Sequence, residues 1–163
     1  MALVDAMQAL LDCASEATGI ERAFLTSGLM VSWDACECDG QLWVRLISQE
    51  AMTVPKMGMA AQHPCRRTWL VSLGIGTLRC AVGMSDTGEL PSPAALTADA
   101  AKVIIDKDVL LDSAQCCLPA VQGVKSFALN RWDALGPDGG CVGGEWTLQM
   151  IVQTEDCAEP EPP

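Results

Sequence analysis

The chain has 163 residues, half of them hydrophobic and 19% charged, which suits one domain with a buried core and not an acidic disordered protein. Twenty-one acidic against ten basic residues give a formal net charge of -11, which argues against generic nucleic-acid binding and against docking on an anionic membrane. Nine cysteines and a single histidine stand out, and one histidine excludes metal sites built from several.

Residues 2–18 are predicted as a helix. Val4, Met7, Leu10, Leu11 and Ala14 recur at three- and four-residue spacing, and Gly19 is a suitable C-terminal stop. Residues 23–31 suit a strand, with Gly28 marking a weak point or bulge. After a polar connection over 34–40, residues 41–47 alternate. Leu42, Val44 and Leu46 face one way, and Trp43, Arg45 and Ile47 the other.

Residues 48–64 hold two prolines and no period and read as a long loop. Its methionines Met52, Met57 and Met59 suit an adaptable contact surface. Residues 65–82 give the longest strand pattern. Trp69, Val71, Leu73, Ile75 and Thr77 share one face. Gly74 and Gly76 keep the other face small enough for a helix or a neighbouring subunit to approach. Residues 83–95 read as a second loop.

Residues 97–118 are the second predicted helix, with Thr97 as N-cap, Asp99 in the first turn and Pro119 as terminator. Val103, Ile104, Leu110, Leu111, Ala114, Cys117 and Leu118 mark its buried face. Asp106, Lys107, Asp108 and Asp112 mark its solvated side. Residues 124–132 and 145–154 are strands, and Trp146, Leu148, Met150 and Val152 form the apolar side of the last. The glycine-rich stretch 133–144 between them reads as a loop, and the acidic, proline-rich stretch 155–163 as a disordered tail.

The order α-β-β-β-α-β-β predicts a single α+β domain over residues 1–154, a small and mainly antiparallel sheet flanked by helices. No stretch nears the roughly 20 apolar residues of a membrane span, and the N-terminus lacks a basic n-region. The expected compartment is a cytosol, where cysteines are reduced.

Several residue constellations bear on chemistry. Cys36, Cys38, His63 and Cys65 could complete a tetrahedral zinc site, three thiolates and an imidazole. C-x-C and H-x-C are not the usual C-x2-C spacing, so small buried residues are the favoured reading and no cofactor is expected. A cysteine nucleophile would need His63, which precedes Pro64 in a loop with nothing to fix it beside a thiol. Disulfides from Cys116 or Cys117 to Cys80 or Cys141 are conceivable. The glycine loop before Glu145 lacks the Gly-Lys-Ser/Thr of a P-loop, and Gly74-Ile75-Gly76 lies inside a strand. No catalytic residue emerges.

Four segments carry a resemblance. They are Asp34–Arg45 (DACECDGQLWVR), Leu78-Arg79-Cys80, Cys116-Cys117-Leu118-Pro119 and Leu135–Thr147 (LGPDGGCVGGEWT). Together they resemble head-to-tail connector proteins of long-tailed actinobacteriophages, most of all tail terminators. The resemblance implies a structural virion protein with a small antiparallel sheet flanked by helices. It implies a ring, hexameric in type, that caps the tail tube, stops its elongation and joins the tail to the head-completion (stopper) protein. Its partners would be copies of itself, the major tail tube protein and the head-completion protein. DNA would only pass through the lumen, and no membrane is involved. The protein would be assembled in the host cytoplasm and reside in the virion at the head-proximal end of the tail. A stopper ring is the neighbouring alternative. On this reading the interface loops would include Met52, Met57, Met59, Arg66, Arg67 and Glu89. An acidic balance suits a conduit that passes DNA without gripping it.

Overall fold

The computed structural model describes residues 2–28, 31, 40–52, 66–83, 88–138 and 140–155. The chain runs α1 (Ala2–Thr18), β1 (Ala23–Ser27), β2 (Gln41–Ala51), β3 (Arg66–Cys80), α2 (Pro93–Cys117), a 3-10 turn (Leu118–Ala120), β4 (Val124–Asp138) and β5 (Cys141–Glu155). This is the expected element order and an α+β fold. The five strands form one sheet in the order β1-β2-β3-β5-β4. Three neighbouring pairs are antiparallel, and β1 runs parallel to β2. No helix among the described residues is long and apolar enough to cross a membrane.

Both helices pack on one face of the sheet. The core joins Leu10, Leu11 and Ala14 of α1 and Leu110 and Ala114 of α2 to Leu42, Val44, Leu73, Ile75, Leu148 and Met150 of the strands. Each fully buried Leu or Ile contributes roughly 1.5–3 kcal/mol over its exposed state. The strand alternation read from the sequence puts these residues on the correct face. Gly19 ends α1 with φ 67, and its N–H donates to Ser15 O at 2.9 Å. Val4, expected in the buried stripe, is 60% exposed, and Ala6 is buried in its place. Met7, Leu10, Leu11 and Ala14 are buried as expected, and Ala6 and Val4 lie on opposite flanks of that stripe.

All five strands differ from expectation in their bounds. β1 stops at Ser27, not residue 31, because Gly28 takes φ 105. β2 continues to Ala51 through a bulge between Leu46 and Ser48, so residues 48–51 are strand and not loop. β3 covers 66–80 of the expected 65–82. β4 and β5 extend through most of the glycine-rich stretch and are separated by only two residues. Gly143 and Gly144 are strand glycines. A Cβ at Gly144 would collide with the Trp132 ring, and one at Gly143 with the Thr77 carbonyl. These glycines serve close approach more than turning.

Trp146 lies on the helix side, half-buried. Its indole N–H donates to Lys107 O at 2.8 Å, and its ring meets Trp132 edge-on at 5.7 Å. Trp146→Ala is expected to cost about 3 kcal/mol, near the lower end for a packed Trp. Urea unfolding checks it, and a loss below about 1 kcal/mol would mean that this strand carries little of the core.

α2 departs most from expectation. It starts at Pro93, with Ser92 as N-cap accepting from Ala95 N–H at 3.2 Å. Thr97 is therefore inside the helix, where its hydroxyl donates to Pro93 O at 2.8 Å. Ile104, expected to be buried, is 57% exposed, and Asp106, expected to be solvated, is buried. Asp106 is turned inward because Arg79 of β3 reaches it across the helix layer. The Arg79 guanidinium donates to both Asp106 oxygens, at 2.6 and 2.9 Å.

The two helices run antiparallel. Arg79 also donates to Thr18 O at 3.5 Å, which places the end of α1 beside the middle of α2. Further along, Cys13 of α1 and Cys117 of α2 form a disulfide with Cα atoms 6.6 Å apart. None of the four conceivable pairings forms, since Cys117 bonds Cys13 and both Cys116 and Cys80 carry thiols. Cys116, one helical step away, is exposed as a thiol. Cys141 is also disulfide-bonded, so the expectation of reduced cysteines does not hold for this structure.

Candidate functional site

The sheet face away from the helices carries a second, smaller cluster. Trp43 and Leu78 are fully buried there, with Cys141, and Phe24, Val31 and Leu135 pack against them. Register explains the gathering. Trp43 of β2 sits opposite Gly76 of β3, and Arg45 opposite Gly74. Gly76 in turn sits opposite Glu145 of β5. Side chains of β2 and β5 therefore converge over β3, which presents no side chain at either glycine.

Glu145 is the centre of this arrangement and is nearly buried. Its Oε2 accepts from the Trp43 indole N–H and from Arg45 Nε, both at 2.7 Å. Its Oε1 accepts from Arg45 Nη2 at 2.6 Å. The remaining Arg45 arm, Nη1, donates to Gly28 O at 2.8 Å, just past the end of β1. One guanidinium thus ties β5, β2 and the exit of β1. Hydrogen bonding to Glu145 holds the Arg45 guanidinium above its already high pKa despite partial burial. Bidentate pairing of a planar guanidinium with a carboxylate is a task for arginine, not lysine.

The two β3 glycines are a steric condition of this network. A Cβ at Gly74 would lie 2.6 Å from Glu145 Cδ. One at Gly76 would lie 2.7 Å from Gly144 O and closer still to the Trp43 ring. The small face of β3 was expected to admit a helix or a neighbouring subunit. It admits instead the side chains of its own sheet neighbours. Gly76→Ala is expected to destabilise by about 2–3 kcal/mol through overpacking. It should also shift Trp43 fluorescence, and an unchanged spectrum with unchanged stability would contradict the close contact.

Two further acids face inward from α2. Asp106 takes Arg79 as described, and the Thr77 hydroxyl donates to it at 3.3 Å. That pairing raises the Arg79 pKa. Asp99 accepts from the Val82 backbone N–H and from Lys102 Nζ at 3.3 Å. The Val82 N–H bond, with Lys102 adding to it, holds the Asp99 carboxyl below its ordinary pKa.

The expected interface residues are spread along the fold. Met52 is exposed just beyond β2, Arg66 and Arg67 open β3, and Glu89 is exposed in the segment after the far end of β3. Met52 and the Arg66-Arg67 pair share one end of the sheet, where the Met52 N–H donates to Thr68 O at 2.9 Å, and Glu89 lies beyond the opposite end of β3. Met57, Met59, His63 and Cys65 lie outside the described residues, as do Cys36 and Cys38, so the zinc and thiol readings fall there too. Among the described residues, no group of three His, Cys, Asp or Glu side chains could hold a metal ion.

The sequence reading missed the Trp43–Arg45–Glu145 network, although a signal was present. A charged residue shared a strand face with a tryptophan, and the neighbouring strand carried Gly-x-Gly. A charged side chain over two strand glycines needs an opposite charge from the next strand. What the network can do chemically follows from its occupancy. Glu145 has three donors on its two oxygens, so it is held in place as a strut between β5 and β2. No protein-family model matches the chain, and no curated protein matches it.

Proposed function

We propose that this chain is a tail terminator of a long-tailed actinobacteriophage, a subunit of a ring that caps the tail tube. The observation that carries the reading is where the four family-like segments fall. The first supplies Trp43 and Arg45, the second Leu78, and the last Leu135, Cys141 and Glu145, and all six meet in the cluster on one sheet face. The remaining segment supplies Cys117 of the interhelical disulfide and the buried Leu118. A signature that supplies these eight packing and bonding residues suits a structural protein. The α-β-β-β-α-β-β order and the one-sided helix layer also agree with what the resemblance implies.

Charge is consistent with a DNA conduit. The Arg45–Glu145 and Arg79–Asp106 pairs each cancel, so the whole of the -11 is carried by other residues. A ring subunit needs a heterologous contact that closes on itself. The ring would be hexameric, meeting the tail tube protein on one side and the head-completion protein on the other.

The test is averaged imaging of the head-proximal end of purified tails that carry a tagged copy of this chain. A sixfold ring seated on the last tube ring is expected. Density for the tag on the head side of the junction would assign the stopper role instead. A tag found elsewhere in the particle would sink the connector reading altogether.

A further inference from the structure

The N-terminal half of α2 is built inside out. Between Pro93 and Ile105 its buried residue is Asp99, a carboxylate that serves as an anchor, and the next buried residue is Asp106, a second such anchor. Ile104 and Ile105 point away from these acids, and Leu96 lies on the flank, about 60° round the helix from Asp99. Leu96, Ile104 and Ile105 are 52%, 57% and 60% exposed. At 100° per residue, Thr97, Ala100, Ala101 and Ile104 lie together on the side opposite Asp99 and Asp106, and all four are exposed. In a chain of net charge -11, this patch bears no charge. Large apolar residues facing outward while acids face inward mark a surface that another element covers.

We propose that a second copy of this chain covers it, with α2 packed antiparallel on α2 about a two-fold axis between Ala100 and Ala101. Two features of the helix argue for its own copy as the partner. The first is shape. In that register, small residues meet at the centre, and Ile104 of each copy packs over Thr97 of the other, so the helices approach closely. The second is charge. The first turn of α2 contains no acid of its own to meet the partial positive charge at the helix start. The same register places Asp108, which meets Lys107 Nζ at 3.1 Å yet keeps its side chain 61% exposed on the same side of the helix, against the partner's Pro93. Each copy thus supplies the acid that the other's helix start lacks.

The contact is isologous, so it closes at two and does not by itself build a ring. It is independent of the tail-terminator reading. One helix pair covers less than the roughly 800 Å² per partner of a standard interface, so the pair should be weak and concentration-dependent.

Sedimentation equilibrium of the full chain over a wide concentration range tests this. A monomer–dimer equilibrium is expected. Ile104→Asp should weaken it at least about tenfold, the effect of 1.4 kcal/mol, with far-UV circular dichroism unchanged because Ile104 is exposed. Ala101→Cys in a Cys116→Ser background should give a covalent dimer on mild oxidation, as the two-fold axis brings the two copies of residue 101 together. A strictly monomeric chain would overturn the proposal, and so would an oligomer that survives Ile104→Asp. A ring on tails built with Ile104→Asp protein would leave the terminator reading standing. A dimer in solution without any ring on the tail would do the reverse.

Discussion

Replacing Glu145 with alanine is expected to destabilise the fold by about 3–5 kcal/mol, the cost of leaving a buried charge without its partner. The Arg45 side chain is only 14% exposed, so water cannot substitute for the lost carboxylate. The Trp43 indole N–H, in a fully buried residue, loses its acceptor as well. The substitution also removes the group that bonds β5 to Trp43 and Arg45 of β2 above the glycines of β3.

The converse variant separates the pair from its parts. Arg45→Leu with Glu145→Leu removes both charges and keeps apolar volume, and buried pairs replaced in this way are often neutral in stability. The double variant is therefore expected to be much more stable than Glu145→Ala alone. Urea titration with an unchanged m-value is the measurement. A single-variant loss under about 1 kcal/mol would show that the pair is solvated. A double variant as unstable as the sum of its singles would show that the two residues act independently.

This network also shows what a sequence can and cannot disclose. Strand alternation depends on a two-residue period, so Leu42, Val44, Leu73, Ile75, Leu148 and Met150 could be placed on one face before any coordinates. Glu145 could not be paired with Arg45, because 100 residues separate them and only the order β2-β3-β5 brings them together. The glycines of 143–144 were read as loop residues because glycine is commonest in turns. Their actual role, clearance for Trp132 and for the Thr77 carbonyl, depends on neighbours in space.

α2 failed for a different reason. Its period gives no single apolar stripe, since acids anchor one side and isoleucines occupy the other. A reading that assigns apolar residues inward must then place Ile104 and Asp106 the wrong way round. The reversal was legible only in retrospect, from Arg79 on the facing strand. Ser92-Pro93 carried a plain start signal that Thr97 displaced.

Replacing both Cys13 and Cys117 with alanine is expected to cost about 3–5 kcal/mol relative to the oxidised protein. The two residues are 104 apart in sequence, and closing a loop of about that length removes about 4.7 kcal/mol of unfolded-chain entropy on the loop-closure account. The bond joins the two helices at the end of their shared layer, while Arg79 joins them nearer the middle. Reduction of the native protein is the wrong comparison, because Cys141 is disulfide-bonded too and would be reduced with it. The double-alanine variant, measured beside native protein in the absence of reductant, isolates the helix pair. A peptide map of the native chain without reduction should show Cys13 linked to Cys117, and a link from Cys13 to the adjacent Cys116 would refute the assignment. Equal urea midpoints for the two proteins would mean that core packing and the Arg79 tie already hold α1 against α2. Cys116 is exposed and one residue from the bond, so the comparison should be repeated in a Cys116→Ser background. There the neighbouring thiol that could attack the disulfide is gone, and the same 3–5 kcal/mol difference is expected.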